Sequence, residues 1–95
     1  MRVRLTKAAV RDLRAIRAYI AADDPVAAQK VAAMLDRSIV LIERRPEIGR
    51  PTAVPDIREW SVPGLPYVIP YRIAADAIEI VRVYHTSRQR PKEWS

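Results

Sequence analysis

The sequence contains no cysteine, only one histidine and no sustained apolar run. Without cysteine, neither a disulfide framework nor a thiolate metal site can form, and a reducing compartment is expected. One histidine among scattered carboxylates supplies neither a Ser-His-Asp triad nor a recognisable metal-ligand set, so no metal and no cofactor are expected. The absence of a signal peptide or membrane-spanning segment predicts a cytoplasmic protein with no membrane partner.

Acidic residues are in the minority, since eleven Asp and Glu stand against seventeen Lys and Arg, for a formal net charge of +6. Fourteen of the seventeen cations are arginine, which binds carboxylates and phosphates through two parallel hydrogen bonds. The composition therefore indicates an acidic partner, either protein or nucleic acid, with a solubilising surface charge as the alternative. A chain of 95 residues has room for a single domain.

Two amphipathic helices are predicted in the first half of the chain. The first begins after Thr6, whose hydroxyl can cap it, and the second begins after Asp24 with Pro25 at its first position and ends near Arg45. Apolar residues recur at helical spacing in both, at Ala9, Leu13, Ile16 and Ile20 and then at Ala28, Val31, Leu35, Ile39 and Ile42. The short break between the helices predicts an antiparallel hairpin whose apolar stripes form core.

Strands are predicted on either side of this hairpin. A short strand covers residues 3–5, and prolines and glycine make residues 45–56 a loop. Segments rich in β-branched and aromatic residues follow at 57–62, 67–73 and 77–84. Pro70 cannot donate a ladder hydrogen bond, so a bulge or a locally unpaired site is expected there. The predicted fold is α+β: an N-terminal strand, an antiparallel helix hairpin, and a three-stranded antiparallel β-meander packed on the helices.

Four groups of residues occur in a recognisable order and spacing. They are Ala8–Leu13 with Tyr19–Ile20, the Pro-Glu-Ile-Gly-Arg-Pro loop at Pro46–Pro51, Tyr67–Arg72, and Ile80–His85. Together they resemble the ParE branch of the RelE/ParE toxins of type II toxin–antitoxin systems, although Pro70 stands where that family usually has an aromatic residue. The resemblance implies one RelE/ParE-like domain over residues 1–95, with an exposed basic tail at about 86–95.

The resemblance also implies a function. ParE-like toxins are associated with inhibition of DNA gyrase, need no catalytic residue of their own, and are neutralised by direct binding of a ParD-like antitoxin in a heterotetramer or larger complex. RelE-like toxins instead cut messenger RNA on the ribosome, and under this alternative His85, Arg82, Arg72 and Tyr84 would carry out the cleavage. Val68 argues against it, because the position after the strand tyrosine is commonly arginine in those nucleases. A third reading is a basic nucleic-acid-binding module, whereas the toxin readings expect no specific nucleic-acid binding.

Seven residues are candidates for contact with the antitoxin or the target: Arg58, Trp60, Arg72, Arg82, His85, Arg88 and Arg90. Arg58, Arg72 and Arg82 occur one per strand and would form a basic concavity if the register turns them to one sheet face. Independent solvated arginines are the alternative. Trp60 is either an interface anchor or a core residue. His85 is either a catalytic base or a strand-end residue that hydrogen-bonds the backbone or the antitoxin.

Overall fold

This computed structural model describes residues 1–87 of the chain, which form two helices and a mixed β-sheet. The helices are α1 (Lys7–Asp23) and α2 (Pro25–Arg44), followed by a short 3₁₀ turn at Pro46–Ile48. The strands are β1 (Arg2–Leu5), β2 (Arg50–Pro51), β3 (Ile57–Ser61), β4 (Tyr67–Ile73), β5 (Ala77–Ile80) and β6 (Tyr84–His85). Arg88 and Arg90, and with them most of the predicted basic tail, lie outside the described residues.

Both helices begin where the sequence predicts. The Thr6 hydroxyl accepts a hydrogen bond from the Ala9 amide at 3.0 Å, and the Asp24 carboxylate accepts one from the Ala27 amide at 3.0 Å. These contacts satisfy amides that have no partner inside the helix. Pro25 occupies the first turn of α2, where its missing N–H has no cost. No helix in residues 1–87 is long and apolar enough to cross a membrane.

The sheet has the strand order β1-β5-β4-β3-β2, and β6 also pairs with β4. Strands β3, β4 and β5 form the predicted antiparallel meander, which confirms the α+β architecture. Two features were not predicted. Strand β1 lies parallel to β5, so that the N-terminal strand extends the meander at the β5 edge. Strand β2 lies in the segment predicted to be a loop and pairs with β3.

The expected irregularity at Pro70 is a bulge in the neighbouring strand. Residues 81–83, which connect β5 to β6, lie opposite residues 69–70 of β4. The segment between β5 and β6 therefore has one residue more than the part of β4 that it faces. The Pro70 carbonyl accepts hydrogen bonds from the amides of both Val81, at 2.9 Å, and Arg82, at 3.5 Å. The predicted strand 77–84 is therefore two strands separated by this bulge.

The sheet has apolar residues on both faces. The helix-covered face carries the main core, in which Tyr71, Ile69, Ile78 and Ile80 are fully buried beneath Leu35 and Ile42 of α2. A second buried cluster consists of Ile57, Val68, Val81 and Tyr84. Because side chains alternate along a strand, the pairing of Ile57 with Arg72 turns this second cluster away from the helices. We call that side of the sheet the open face.

Candidate functional site

The predicted basic concavity does not exist in the form expected. Strand pairing places Arg58 opposite Tyr71 and Arg72 opposite Ile57. Directly paired residues share a sheet face, so Arg58 lies on the helix-covered face with Tyr71 and Arg72 lies on the open face. The one-face arrangement of Arg58, Arg72 and Arg82 is therefore wrong, because the register separates the first two. Their contact with a partner stays a prediction.

Arg58 stabilises the Pro-Glu-Ile-Gly-Arg-Pro loop. Its guanidinium Nη1 donates to the Gly49 carbonyl at 2.7 Å and to the Glu47 carbonyl at 3.3 Å. These carbonyls belong to a segment with little regular structure, and a guanidinium is well suited to bind several acceptors at once. The Pro-Glu-Ile-Gly-Arg-Pro loop therefore holds the candidate residue Arg58 in an internal contact.

Tyr71 holds the same loop from beneath. Its buried hydroxyl donates to the Pro46 carbonyl at 2.6 Å and accepts from the Gly49 amide at 2.8 Å. Burial raises the pKa of Tyr71 above its ordinary value, partly offset by the hydrogen bond from the Gly49 amide. A Cβ added to Gly49 would lie 2.6 Å from the Tyr71 ring, so only glycine fits there. Both hydrogen bonds of the Tyr71 hydroxyl therefore hold the loop in place.

Arg72 forms an ion pair on the open face. Its Nε donates to Glu79 Oε1 at 2.8 Å, and Arg4 lies 3.7 Å from the other oxygen of the same carboxylate. Arg4 and Glu79 are paired residues of β1 and β5, which explains why the three side chains form a row across the sheet. The row has one net positive charge and is partly exposed.

Arg82 turns towards α1. Its Nε and Nη2 donate to the two oxygens of Asp12 at 2.7 and 3.0 Å, and the Val83 amide donates to Asp12 Oδ2 at 2.9 Å. The hydrogen bond with Asp12 raises the pKa of Arg82 further above its ordinary value. Asp12 thus fixes the bulge against α1. Arg82 could bind a phosphate only by giving up two charge-assisted hydrogen bonds.

His85 lies half-buried at the end of the sheet, edge-on to Tyr67 with ring centroids 5.5 Å apart. Its Nδ1 accepts a hydrogen bond from the Ser87 amide at 3.1 Å, and the Ser87 hydroxyl lies 2.7 Å from the same atom. A backbone amide can only donate, so Nδ1 carries no proton and the neutral ring is protonated on Nε2. The nitrogen that could act as a base is therefore occupied.

Tyr84 bonds a buried carboxylate that the sequence analysis did not single out. The Tyr84 hydroxyl donates to Glu59 Oε2 at 2.9 Å, while Glu59 is only 2% exposed and its other oxygen lies 3.6 Å from Arg50. The alternation of β3 offered a signal, because Glu59 falls on the same face as buried Ile57. The four candidates of the nuclease hypothesis thus have separate internal partners.

Trp60 behaves as a core residue with one polar contact. Its indole packs against the main core, and its Nε1 donates to the Ser38 hydroxyl of α2 at 3.2 Å. The contact joins the third strand to the second helix. No groups of three His, Asp or Glu side chains that could hold a metal ion occur within residues 1–87.

The helix hairpin carries an open groove, which the sequence analysis had assigned wholly to the core. The groove has a volume of about 170 Å³. Its apolar lining comes from both helices: Leu13, Ile16, Ala28, Val31, Ala32 and Leu35. Arg14, Arg17 and Asp36 stand at its edges. Alanines at two lining positions leave the space open, and this is the signal that could have found it.

A second cleft, of about 270 Å³, lies between α1 and β6. Tyr67, Tyr84 and His85 line one side of it, and Asp12, Ile16 and Tyr19 line the other. Tyr19 is 80% exposed, the most exposed large apolar residue of the described chain. Of the candidate site residues within the described residues 1–87, the structure therefore brings only His85 and Tyr84 to this cleft.

Known proteins match the chain over nearly its whole length. The family model described as "ParE toxin of type II toxin-antitoxin system, parDE" matches residues 3–90. The Sinorhizobium fredii protein Y4kP, provisionally named a toxin, is 41% identical over 91 residues, 96% of this chain and 94% of its own. Toxin RelE2 of Caulobacter vibrioides is 41% identical over 80 residues, 84% of this chain and 89% of its own.

A solved structure agrees with these sequence matches. A chain of the chromosomal ParDE toxin–antitoxin system from P. aeruginosa superposes with a TM-score of 0.82 at 25% identity. The match covers 90% of this chain and 95% of that one. The similar proteins carry both ParE and RelE names, so their names do not separate the two activities.

Proposed function

This chain belongs to the family of ParE toxins of type II toxin–antitoxin systems. On that premise we propose that it inhibits DNA gyrase by binding to it, without a catalytic residue, and that a bound antitoxin prevents this inhibition. Action without a catalytic residue is supported by one observation: the candidate nuclease residues are bonded to other residues of the chain. Arg82 bonds Asp12, Arg72 bonds Glu79, and Tyr84 bonds Glu59. A nuclease needs cations and a base free to meet the phosphate and the 2′-hydroxyl. Gyrase as the target follows from the family alone.

The antitoxin site that we propose is the groove between α1 and α2. An apolar floor with arginines at the edge suits one face of an amphipathic helix that carries acidic residues on its flanks. Leu13, Ile16 and Val31 are only partly buried by the chain itself, so a partner helix would remove further apolar surface from water. A ParD-like protein encoded beside the toxin is the partner expected, and the cytoplasm is the compartment.

The groove is tested by placing a charge in it. Val31→Asp puts a carboxylate on the groove floor, where a docked apolar helix would leave it buried and unpaired. Antitoxin affinity should fall by at least about 30-fold, the loss typical of a strong interface residue. Val40→Asp is the matched control, because Val40 is exposed on the same helix and does not line the groove. Equal affinities for the two variants, measured by calorimetry, would exclude this groove.

The target is tested with purified toxin in two assays run side by side. Inhibited supercoiling by gyrase with transcripts intact would support the proposed function. Site-specific cuts in messenger RNA on ribosomes, with supercoiling unaffected, would move the chain to the ribonuclease branch. Adding the antitoxin should reverse whichever effect is observed, which ties the activity to the toxin rather than to a contaminant.

A further inference from the structure

Nearly all of the net charge resides in the first 17 residues. They contain six cations and one carboxylate, which accounts for five of the six net positive charges of the chain. The other 78 residues hold eleven cations against ten acids and are close to neutral. Such an asymmetry concentrates the positive potential on the elements built by this segment, β1 and α1.

Three of these cations lie on the outer side of α1. Lys7, Arg11 and Arg14 follow one another at intervals of four and three residues, the spacing of a single helical face, and all three are exposed. This face is turned away from the core, where Ala9 is fully buried. None of the three forms an ion pair with any residue from 1 to 87. We call Lys7, Arg11 and Arg14 the cationic face of α1.

The one carboxylate in this part of α1 does not neutralise that face. Asp12 is turned to the opposite side, where it accepts three hydrogen bonds from Arg82 and the Val83 amide. Its side chain is only 17% exposed. The negative charge of Asp12 is therefore balanced inside the structure by Arg82, and the cationic face keeps its full charge.

The order of charges along α1 opposes the helix dipole. The first turn contains Lys7 and no acidic residue, and the last turn contains no basic residue. Cations near a helix N-terminus destabilise it, because that end already carries a partial positive charge. A sequence selected for helix stability alone would reverse this order. In the observed order, the positive end of the helix dipole strengthens the positive potential of the three side chains. A role in binding explains why the chain accepts the lower helix stability.

The chemistry of the face points to phosphates. Protein interfaces usually centre on a buried aromatic or aliphatic residue. Here the exposed neighbours on the same side are alanines, Ala15 and Ala18, and the exposed aromatic of α1, Tyr19, lines the cleft beside His85. Binding to a nucleic-acid backbone needs no such anchor, because it is driven by charge and release of counterions.

We propose that the cationic face of α1 binds the phosphate backbone of duplex DNA without sequence preference. The eight residues from Lys7 to Arg14 span about 10 Å of helix. Successive phosphates of one DNA strand rise by about 3.4 Å along the duplex axis, so a helix of this length laid along that axis would pass about three of them. The proposal does not depend on the target, because the face would hold the toxin on DNA whether or not gyrase is what it inhibits. Lys7 and Arg11 lie outside the antitoxin groove, whereas Arg14 also stands at its edge, so a bound antitoxin would compete with DNA for Arg14.

The test uses the full chain, freed of antitoxin, and a short fluorescent duplex of arbitrary sequence, with binding followed by anisotropy between about 50 and 200 mM salt. Arg11→Ala/Arg14→Ala removes two contacts. The slope of log affinity against log salt should become shallower by about 1.8, which corresponds to a loss of about 60-fold near 0.1 M salt. Alanine is the best helix former, so the variant should fold, and circular dichroism checks this.

The matched control is Arg37→Ala/Arg44→Ala. It removes the same charge from exposed positions of α2, and it should change affinity by less than about threefold if the contact is local. Equal losses in the two double variants would mean that only net charge matters, and would overturn the proposal. So would a wild-type chain that does not bind the duplex at the lowest salt. A loss of antitoxin affinity with DNA binding unchanged would assign the face to an acidic protein.

Discussion

Replacing Asp12 with alanine should destabilise the protein more than replacing Arg82 does. Asp12 accepts two hydrogen bonds from the Arg82 guanidinium and one from the Val83 amide, and the side chains of the ion pair are 17% and 29% exposed. Solvent screening reduces each charged bond to about 1 kcal/mol, and an amide left without its acceptor costs about as much. The expected loss for Asp12→Ala is therefore about 3 kcal/mol.

Arg82→Ala should lower the stability by about two-thirds as much, about 2 kcal/mol, because Asp12 keeps its hydrogen bond from the Val83 amide. The double variant isolates the ion pair, whose coupling energy should be about 1–2 kcal/mol. Asp12→Asn retains one acceptor oxygen, so its free energy of unfolding should lie between those of the wild type and Asp12→Ala. Urea unfolding followed by tryptophan fluorescence measures the wild type and the four variants, against a total stability of roughly 5–14 kcal/mol for a domain of this size.

Two results would refute this account of the bulge. One is an Arg82→Ala variant at least as destabilised as Asp12→Ala, which would mean that the Val83 contact contributes nothing. The other is a coupling energy near zero, which would mean that the pair does not form in solution. A folded Arg82→Ala variant that loses growth arrest, while Asp12→Ala retains it, would give Arg82 a contact with the target.

Three further predictions concern the loop and the histidine. Gly49→Ala should lower the free energy of unfolding in urea by about 2–4 kcal/mol, because the added Cβ would lie 2.6 Å from the buried ring of Tyr71 and displace its two hydrogen bonds. A decrease below about 0.5 kcal/mol would contradict the close contact between Gly49 and Tyr71. Because burial raises the pKa of Tyr71, its neutral hydroxyl contributes its full stabilisation below pH 10.0, the ordinary pKa, and the free energy of unfolding should decline as the pH rises from 10.0 through the raised pKa. Tyr71→Phe should lack this decline. Identical curves of stability against alkaline pH for the two proteins would contradict this prediction. His85→Ala should still arrest growth if the toxin binds its target without His85, whereas a folded variant that loses both toxicity and cleavage of messenger RNA would favour the nuclease.

The sequence pattern was sufficient wherever a structure is decided within a few residues. Thr6 and Asp24 cap their helices as predicted, because a side-chain oxygen and the amide three residues later are neighbours in any helix start. The three main strands follow from their β-branched composition, and Pro70 marked the bulge because it lacks the N–H that a regular ladder requires. The family resemblance rested on the same local segments and was confirmed by the family match.

The sequence could not place side chains that meet across the fold. A shift of one residue in strand pairing moves every side chain to the other face, and this register separates Arg58 from Arg72. The pairing of Asp12 with Arg82 joins positions 70 residues apart and depends on where α1 lies on the sheet. The alternation of β3 places Glu59 on the face of buried Ile57, but the local pattern could not show that Glu59 meets Tyr84.

The sequence by itself thus determined the helices, the three main strands, the irregularity at Pro70 and the uneven distribution of charge, because each depends on neighbouring residues or on composition alone. Only the tertiary structure decided which charges remain available to a partner. Arg82 and Asp12 neutralise each other across the fold, whereas Lys7, Arg11 and Arg14 meet no acid within residues 1–87. That difference arises because ion pairs require two side chains to be brought within about 4 Å, and packing rather than sequence order sets that distance.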